Sequence, residues 1–521
     1  MFRIALCCLL VALVNSANAE RPNILLIVAD DMGFSDAGCY GSEIETPHLD
    51  QLAAGGLRFT QFYNTGRCWP TRASLLTGYY PQQVHRDALP DLPGGAQGKR
   101  PSWAKLLPQM LPKEYRSYHS GKWHIDGDRL SSGFSKSYSI EDHDRNFAPK
   151  RHLEDDRPLP AVQPESGYYT STAIADHAIR CLAEHASQHK DRPFFHYLCF
   201  TSPHFPLQAP QVEIEKHLER YQAGWDQLRA HRAKSLAALG IVAHATPPFE
   251  RDIGPPYSNP DAMTKLGPGE VNRPITWSEL SQLQQKFQAT KMAIHASMIS
   301  IMDREIGRVI KQLRDSGSLE NTIILFLSDN GASAEIMVRG DGHNALAPLG
   351  SAETFLCLGP GWSTVANTPF RRHKTWVHEG GISTPLIVHW PAGIAAKGEL
   401  RQQPGHVIDL VPTLLDIVDA ERLLIPGAPP LPGKSLKLAI TDKREFPRSP
   451  LWWLHEGNRA LRDGAWKLVA TKNRDWELYD LSTDRGEIKD LSKEKPQIAR
   501  ELADKWEAMT KAFHQDASSS P

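Results

Sequence analysis

The sequence predicts an α/β protein: a three-layer domain built on a mainly parallel sheet, followed by a small C-terminal α+β domain. Three continuous apolar runs, Asn23 to Ala29, Phe194 to Phe200 and Ile323 to Leu327, are typical of parallel strands buried on both faces. Helical patterns separate these runs, which indicates alternation of strands and helices. The 521 residues are enough for one large domain and a smaller one.

Local signals predict the other elements of the large domain. A helix is expected from Thr46-Pro47 to Gly55-Gly56, because Pro is favourable in the first helical turn and Gly ends helices. Thr170–His189 and Ser278–Ser316 repeat apolar residues every three or four positions, as amphipathic helices do. Shorter helices are predicted at Thr71–Thr77 and Pro101–Met110, and further strands at Leu57–Tyr63, Tyr115–His119 and Pro385–Trp390.

Two regions depart from this alternation. Residues 208–274 are rich in Pro, Gly and charged residues, which predicts an insertion with one helix near Ile214–Leu239. The large domain is predicted to span 20–432, and the C-terminal domain 433–521. Antiparallel strands of the C-terminal domain are predicted at Leu451–Leu454, Asn458–Thr471 and Trp476–Leu481, with a closing helix at Glu494–Phe513.

The first 19 residues have the pattern of a secretory signal. Arg3 supplies the positive start, Ile4 to Val14 the apolar core, and Ala17-Asn18-Ala19 a small-residue cleavage site. The apolar core is too short to span a membrane, and no later stretch is long enough. We therefore expect an exported enzyme, periplasmic or secreted, without a membrane span.

Charge and cysteine content narrow the function classes. With 59 Lys and Arg against 60 Asp and Glu, the net charge of −1 gives no field that favours nucleic acid or an anionic membrane. Beyond the signal segment the spacing of the cysteines matches no zinc or disulfide framework. The cysteines beyond the signal segment are Cys39, Cys68, Cys181, Cys199 and Cys357. If Cys68 is modified, the other four could form two disulfides, or they could be buried free thiols.

Polar clusters follow the predicted strands at the point where each strand ends. They are Asp30-Asp31, Lys122 with His124, His204, and Asp329-Asn330. Because α/β sheets bind ligands at the carboxyl ends of their strands, we expect these side chains to meet. Three carboxylates and an amide oxygen are hard ligands suited to Ca²⁺ or Mg²⁺.

Three of the basic side chains are candidates for acid–base and anion-binding chemistry. Lys122 and His124 lie two residues apart, so they share one side of an extended segment. Lysine is a compact charge for an oxyanion, and histidine exchanges protons near neutral pH. His204 is a second acid–base candidate. Lys374 lies in the basic run Arg371-Arg372-His373-Lys374, which as an isolated pattern indicates a solvated surface.

Cys68, Pro70 and Arg72 form the most distinctive short pattern. Pro is tolerated in the first turn of a helix, so Cys68 is expected at a helix N-terminus with Arg72 one turn later. The partial positive charge of the helix end and the guanidinium suit an anion or an activated nucleophile.

These blocks together resemble the sulfatase family, of the formylglycine-dependent arylsulfatase type. They occur in the family's order and span most of the chain: Asp30-Asp31, Cys68-x-Pro70-x-Arg72, Gly121-Lys122-Trp123-His124, Ser202-Pro203-His204, Ser328-Asp329-Asn330-Gly331 and Lys374 with Glu379-Gly380-Gly381. The segments 456–464 and 476–480 are similar to the family's C-terminal subdomain. The resemblance implies an alkaline-phosphatase-like α/β fold, one Ca²⁺ per active site, and a formylglycine nucleophile made from Cys68 by a formylglycine-generating maturation enzyme.

The resemblance also implies a role for each matched residue. Asp30, Asp31, Asp329 and Asn330 would bind Ca²⁺, completed by the residue made from Cys68. Arg72 would stabilise the aldehyde hydrate, and Lys122 and Lys374 would hold the sulfate oxygens. His204 would assist the leaving oxygen, and His124 would then take a proton so that sulfate is released. The substrate would be a sulfated small molecule or glycan.

The sequence is also compatible with two other functions. A phosphate or phosphonate ester hydrolase could use the same fold, although a two-zinc phosphatase would need more His and Asp ligands. An inactive binder of sulfated glycans could retain an unmodified Cys68. Rim contacts to substrate are expected from the insertion 208–274 and from Trp362, Thr368 and His343.

Overall fold

The computed structural model of the protein describes residues 21–89, 97–420, 425 and 427–518. The predicted signal segment, residues 1–19, lies outside these ranges. Among the helices within them, none is long and apolar enough to cross a membrane.

The regular elements are numbered in chain order. The strands are β1 (Asn23–Asp30), β2 (Leu57–Tyr63), β3 (Arg116–Gly121), β4 (Lys136–Ile140), β5 (His152–Glu154), β6 (Arg157–Pro158), β7 (Phe194–Pro203), β8 (Thr322–Ser328), β9 (Ser383–His389), β10 (Glu399–Arg401), β11 (Gly405–His406), β12 (Leu451–His455), β13 (Asn458–Asp463), β14 (Trp466–Ala470) and β15 (Glu477–Asp480). The helices are α1 (Pro47–Ala54), α2 (Cys68–Thr77), α3 (Leu107–Met110), α4 (Thr170–Gln188), α5 (Gln211–Glu215), α6 (Gly224–Ala238), α7 (Pro260–Leu266), α8 (Gln282–Asp315), α9 (Gly359–Ala366), α10 (Glu379–Ile382), α11 (Leu410–Ile417), α12 (Lys437–Thr441) and α13 (Pro496–Ser518).

The central sheet has the strand order β10-β2-β9-β8-β1-β7-β3-β4-β5-β6, and β11 also pairs with β2. The strands around its centre, β8, β1, β7, β3 and β4, run parallel, whereas β9 is antiparallel to both β2 and β8. The predicted three-layer domain with a mainly parallel sheet is therefore confirmed.

Both faces of the central sheet are covered. Alternate residues of β1 enter two different hydrophobic cores: Leu25 and Ile27 pack on one face, Leu26 and Val28 on the other. The first core is filled from α4 and the 34-residue helix α8, the second from α2 and α11. Burial on both faces is why these strands are continuous apolar runs.

The C-terminal subdomain is the antiparallel sheet β12-β13-β14-β15 with α13 against it. The segment Asn458–Thr471, predicted as one strand, is two strands, because Gly464 adopts a left-handed φ of 59° and reverses the chain. Asp463 then pairs with Trp466 across the turn. The short pattern on either side of the glycine could not distinguish one strand from a hairpin.

Several other predictions differ from the structure in extent. Helix α3 occupies only the end of the predicted segment Pro101–Met110, and the insertion contains three helices, α5 to α7, rather than one. The short strands β4, β5, β6, β10 and β11 were not predicted. The cysteines at 39, 68, 181, 199 and 357 are free thiols, so no disulfide joins these residues.

A buried ionic network joins the two subdomains. Lys467, on β14, contacts Glu379 Oε1 at 2.9 Å and Glu487 Oε1 at 2.7 Å, and all three side chains are fully buried. Arg485 donates to the other oxygen of Glu379 at 3.0 Å. Burial would raise the pKa of Glu379, but Lys467 and Arg485 outweigh it and lower the pKa to about 2.

Replacing Lys467 with methionine is expected to destabilise the folded protein by about 3–5 kcal/mol, because two buried carboxylates would lose their shared cation. Urea unfolding followed by circular dichroism measures the change. Lys472→Met, at an exposed position just after β14, is the matched control and should change stability by less than about 0.5 kcal/mol. Equal unfolding midpoints for the two variants would contradict the importance of the network.

Candidate active site

The four polar clusters predicted from the strand ends lie together at the carboxyl edge of the central sheet. β1 pairs in parallel with β7 on one side and β8 on the other, and β3 pairs with β7. Asp30 is opposite Pro203 near the end of β7, and Ser328, which ends β8, is opposite Ala29. The residues that follow these strands therefore share the edge where α/β proteins bind ligands.

Helix α2 brings Cys68 and Arg72 to this edge. The helix begins at Cys68, earlier than the predicted start at Thr71, and ends at Thr77, before Gly78, whose φ of 78° is left-handed. Cys68 is therefore the first residue of the helix, at the end where the helix dipole is positive. Arg72 Nε donates to Asp329 Oδ2 at 2.9 Å, which fixes α2 against the end of β8. All ten residues of α2 are buried.

Buried lysines compensate the carboxylates. Lys122 Nζ donates to Asp30 Oδ2 at 2.5 Å, and Lys374 Nζ donates to Asp31 Oδ2 at 2.9 Å. All four side chains are buried. Lys374 is thus part of the site and not of a solvated basic run.

The three carboxyl groups of the cluster differ in the direction of their pKa shifts. Burial acts to raise the pKa of all three. At Asp30 the charge of Lys122, with help from nearby cations, outweighs burial and lowers the pKa well below its usual range. Burial and the charge of Asp30 raise the pKa of Asp329 well above its usual range, and burial also raises that of Asp31. Mutual repulsion among the carboxylates favours additional positive charge in this cluster.

His204 has a defined tautomer. Its Nδ1 lies 2.5 Å from the carbonyl oxygen of Phe205, and because a carbonyl only accepts hydrogen bonds, Nδ1 carries the proton. Nε2, 3.7 Å from Asp31 Oδ2, is left to exchange protons with a bound group. Burial, and then Lys374, lower the pKa of His204 well below its usual range.

His124 faces the site from the end of β3. Burial, and then the charges of Lys122 and Arg72, lower its pKa well below the usual range. The ring is therefore neutral at neutral pH and able to accept a proton. Its backbone φ of 55° is left-handed, which is uncommon for a residue other than glycine and turns the chain out of the sheet there.

The oxygen donors of the cluster fit a hard cation. Asp30 Oδ1 and Asn330 Oδ1 are buried acceptors without a hydrogen-bond partner. Asn330 Nδ2 donates to Asp31 Oδ1 at 2.6 Å, so the amide oxygen is free for another contact. Ligand atoms of Asp30, Asp31 and His204 lie within 4.8 Å of one another. Asp329 receives hydrogen bonds from Arg72 and from the Asp31 N–H, and its place in the ligand set stays a prediction.

Glu335 is a site residue that sequence reasoning missed. Its buried carboxylate contacts Lys374 Nζ at 3.3 Å and Arg67 Nη2 at 3.0 Å. Burial would raise its pKa, but these two cations lower it to about 2. Glu335 lies in a loop after Asp329 without any regular pattern, so no local signal indicates its position.

One wall of the site is aromatic. The ring of Trp69 lies between those of His124 and His455, at centroid distances of 5.8 and 5.7 Å. Arg67 stacks between Trp69 and Tyr257, 5.3 Å from each ring. Tyr257 belongs to the insertion and His455 to the C-terminal subdomain, so chain segments far apart in sequence close the wall.

The prediction that Trp362 and Thr368 contact substrate at the rim of the site is wrong. Trp362 and Thr368 are completely buried, and Trp362 packs against Trp225 at 5.6 Å in the core. His343 is only half-buried and lines a surface cleft together with Arg145. A large side chain in an irregular segment gives no indication of whether it packs inward or outward.

Two protein-family models match the chain. The family model described as "Sulfatase" matches residues 22–420, and the model described as "N-sulphoglucosamine sulphohydrolase, C-terminal" matches residues 371–512. The second match extends over the antiparallel sheet and most of α13.

Similar proteins cover almost the whole chain. An uncharacterized sulfatase of Schizosaccharomyces pombe is 30% identical over 94% of this chain and 93% of its own. An arylsulfatase of Klebsiella aerogenes is 30% identical over 83% of this chain and 94% of its own. The crystal structure of Ps i-CgsB in complex with k-i-k-neocarrahexaose matches the fold with a TM-score of 0.67 at 22% identity, covering 94% of this chain and 93% of that one. The chain therefore belongs to the sulfatase family and is an enzyme that hydrolyses sulfate esters.

Proposed function

We propose that the enzyme removes sulfate from aryl or carbohydrate sulfate esters with a formylglycine nucleophile made from Cys68 and a Ca²⁺ ion. The observation that carries this proposal is the convergence of Cys68, two buried lysines and two neutral histidines on one cluster of carboxylates. Relatives whose names specify sugar sulfates, such as an N-acetylgalactosamine-6-O-sulfatase of Bacteroides thetaiotaomicron at 26% identity, support the substrate class.

Position 68 suits the nucleophile. A hydrated aldehyde has two hydroxyl groups where the thiol has none: one attacks sulfur, and the other later loses a proton so that sulfate is expelled. Arg72, one helical turn away, donates hydrogen bonds to Asp329 and to the Lys122 carbonyl and so remains beside this position. Lys122 and Lys374 lie in the same cluster and would bind the sulfate oxygens, which stabilises the negative charge that develops on them.

The metal would be held by Asp30, Asp31 and Asn330, with Asp329 and residue 68 completing the set. Bound there, Ca²⁺ supplies Lewis-acid polarisation of oxygen and favours the ionised nucleophile. The carboxylates that now contact lysine would share their negative charge between the ion and those ammonium groups. This arrangement keeps Lys122 and Lys374 beside the reacting sulfate.

The two histidines serve different steps. His204 Nε2 is directed to the site and, once protonated, delivers a proton to the leaving alcohol oxygen. Asp31, at 3.7 Å, and the charge of a bound sulfate both favour the protonated ring. His124 is held neutral and takes the proton of the second hydroxyl at residue 68, which breaks the bond to sulfate and restores the aldehyde.

The first prediction concerns residue 68. When the protein is produced with a formylglycine-generating enzyme, the tryptic peptide that contains residue 68 should lose about 18 Da, the difference between thiol and aldehyde. Cys68→Ala should lower kcat by more than about 10³-fold because the nucleophile is absent. Peptide mass spectrometry and aryl sulfate hydrolysis measure the two results. Full activity with only the thiol present would refute the nucleophile.

The second prediction concerns the metal. Adding Ca²⁺ to chelator-treated protein should raise Tm, since a ligand at about 100 times its Kd stabilises the folded state by about 2.7 kcal/mol. Asn330→Ala should abolish the shift, whereas Asp341→Asn, a surface control, should keep it. Differential scanning calorimetry provides the test. A Tm that neither Ca²⁺ nor Mg²⁺ changes, with no metal retained by elemental analysis, would exclude the site.

The third prediction separates the histidines. His124→Ala should release about one equivalent of nitrophenol from 4-nitrophenyl sulfate and then stall, with a mass about 80 Da above that of the hydrated aldehyde because one SO₃ is retained. His204→Ala should lose about 10²–10⁴-fold in kcat with a poor leaving group such as a sugar hydroxyl, and much less with nitrophenol. Rapid-quench kinetics and intact mass measure both effects. A burst and mass gain in His204→Ala instead of His124→Ala would reverse the roles.

Parallel assays with 4-nitrophenyl sulfate and 4-nitrophenyl phosphate separate this function from a phosphate ester hydrolase. We expect kcat/KM to favour the sulfate ester, because the site has one cluster of hard oxygen ligands. Faster hydrolysis of the phosphate ester would favour the alternative, and binding of sulfated glycans without turnover would indicate a binding protein.

A further inference from the structure

His143 is a half-buried histidine beside the proposed catalytic groups that no step above uses. It follows β4, which pairs in parallel with β3, so the loop after β4 reaches the same carboxyl edge of the sheet. The ring centroids of His143 and His124 are 5.5 Å apart in an edge-to-face arrangement.

The residue that follows His143 connects this loop to the other side of the site. Asp144 accepts a hydrogen bond from Arg339 at 2.8 Å. Arg339 in turn stacks on Phe205, next to His204.

The hydrogen bonding of His143 determines its chemistry. Nε2 lies 3.0 Å from the carbonyl oxygen of Ile140, which only accepts, so Nε2 carries a proton. Burial, and then the charge of Lys122, hold the pKa of His143 well below its usual range, so the ring stays neutral. Nδ1 is therefore a hydrogen-bond acceptor. Across the described residues, no donor contacts Nδ1, and the nearby His124 Nδ1 is likewise without a partner.

An acceptor in this place does not fit the sulfate group itself. Sulfate oxygens carry negative charge and no hydrogen, so a nitrogen lone pair repels them. A hydroxyl group of the alcohol part of the substrate is a donor and suits Nδ1. Since His143 lies against His124, only a hydroxyl close to the reacting ester is within its reach. A hydroxyl on the neighbouring carbon, about one hydrogen-bond length from the ester oxygen, meets this condition.

We propose that His143 is a specificity-determining residue whose Nδ1 accepts a hydrogen bond from a substrate hydroxyl on the carbon next to the one that carries sulfate. The substrate class is then a sulfate ester of a carbohydrate or polyol with a free vicinal hydroxyl, rather than a simple aryl or alkyl sulfate. This inference rests on the proposed function. A site built to pair with a hydroxyl disfavours analogues that lack it, because its own acceptor would stay unpaired.

Matched alkyl sulfates test the proposal. Cyclohexyl sulfate is compared with cis- and trans-2-hydroxycyclohexyl sulfate, both as substrates and as competitors of 4-nitrophenyl sulfate hydrolysis. With the wild-type enzyme containing formylglycine, the better hydroxylated isomer should exceed cyclohexyl sulfate about tenfold in kcat/KM, the size of one neutral hydrogen bond. In His143→Ala this ratio should fall to about one.

Two further variants control the interpretation. His143→Asn places an amide oxygen near the position of Nδ1 and should restore most of the ratio. His231→Ala, at an exposed position of α6, should have the wild-type ratio. Circular dichroism and thermal unfolding establish that each variant is folded, and the wild-type ratio tests the hydroxyl preference without any variant.

The results that overturn the proposal are distinct from failure of the proposed function. A wild-type enzyme that hydrolyses the three esters equally well has no hydroxyl recognition. If His143→Ala lowers all three to the same extent and keeps the ratio, His143 acts through His124 and not on the substrate. If the enzyme with formylglycine at residue 68 hydrolyses neither 4-nitrophenyl sulfate nor any other sulfate ester, the proposed function itself is wrong. The role proposed for His143 is then wrong as well.

Discussion

Several charges are buried within one small volume at the carboxyl edge of the central sheet, and they must neutralise one another. Asp30, Asp31 and Asp329 repel one another, and an isolated buried carboxylate is far too costly to remain ionised. Lys122, Lys374 and Arg72 come from three separate parts of the chain to meet them. The position of α2 and of the loop that carries Lys374 therefore depends on the same electrostatic requirement. The groups that meet it are also those that we propose to bind and activate a sulfate ester.

The C-terminal subdomain contributes to this balance although it supplies none of the matched catalytic residues. Glu379 begins α10, shortly after Lys374, and Lys467 and Arg485 bind its carboxylate from the other subdomain. The antiparallel sheet thus anchors the loop whose lysine neutralises Asp31. His455, from the end of β12, packs against Trp69 in the wall of the site. The small subdomain is accordingly a support for the geometry of the large one.

Much of the fold and of the site could be predicted because the relevant signals are local. Apolar runs locate the central strands, and the polar residues that end them must then meet at one edge of a parallel sheet. The residues that escaped prediction depend on packing between distant segments. Trp362 is interior because Trp225, from the insertion, covers it. Glu335 and His143 lie in irregular loops, where neither periodicity nor spacing shows which way a side chain points. Gly464 divides one apparent strand into two through its backbone conformation alone.

The complete burial of α2 has a consequence for the order of events in the life of the protein. Cys68 is 3% exposed and Arg72 not at all, and Arg72 donates hydrogen bonds to Asp329, after β8, and to the Lys122 carbonyl, after β3. An enzyme that reads the side chains around Cys68 has no access to them once the sheet has formed. The oxidation of Cys68 that we propose would therefore have to precede folding, while the segment is still an extended peptide. Modification and folding would then compete in time, and the fraction of active molecules would be determined before the sheet closes over α2 rather than afterwards.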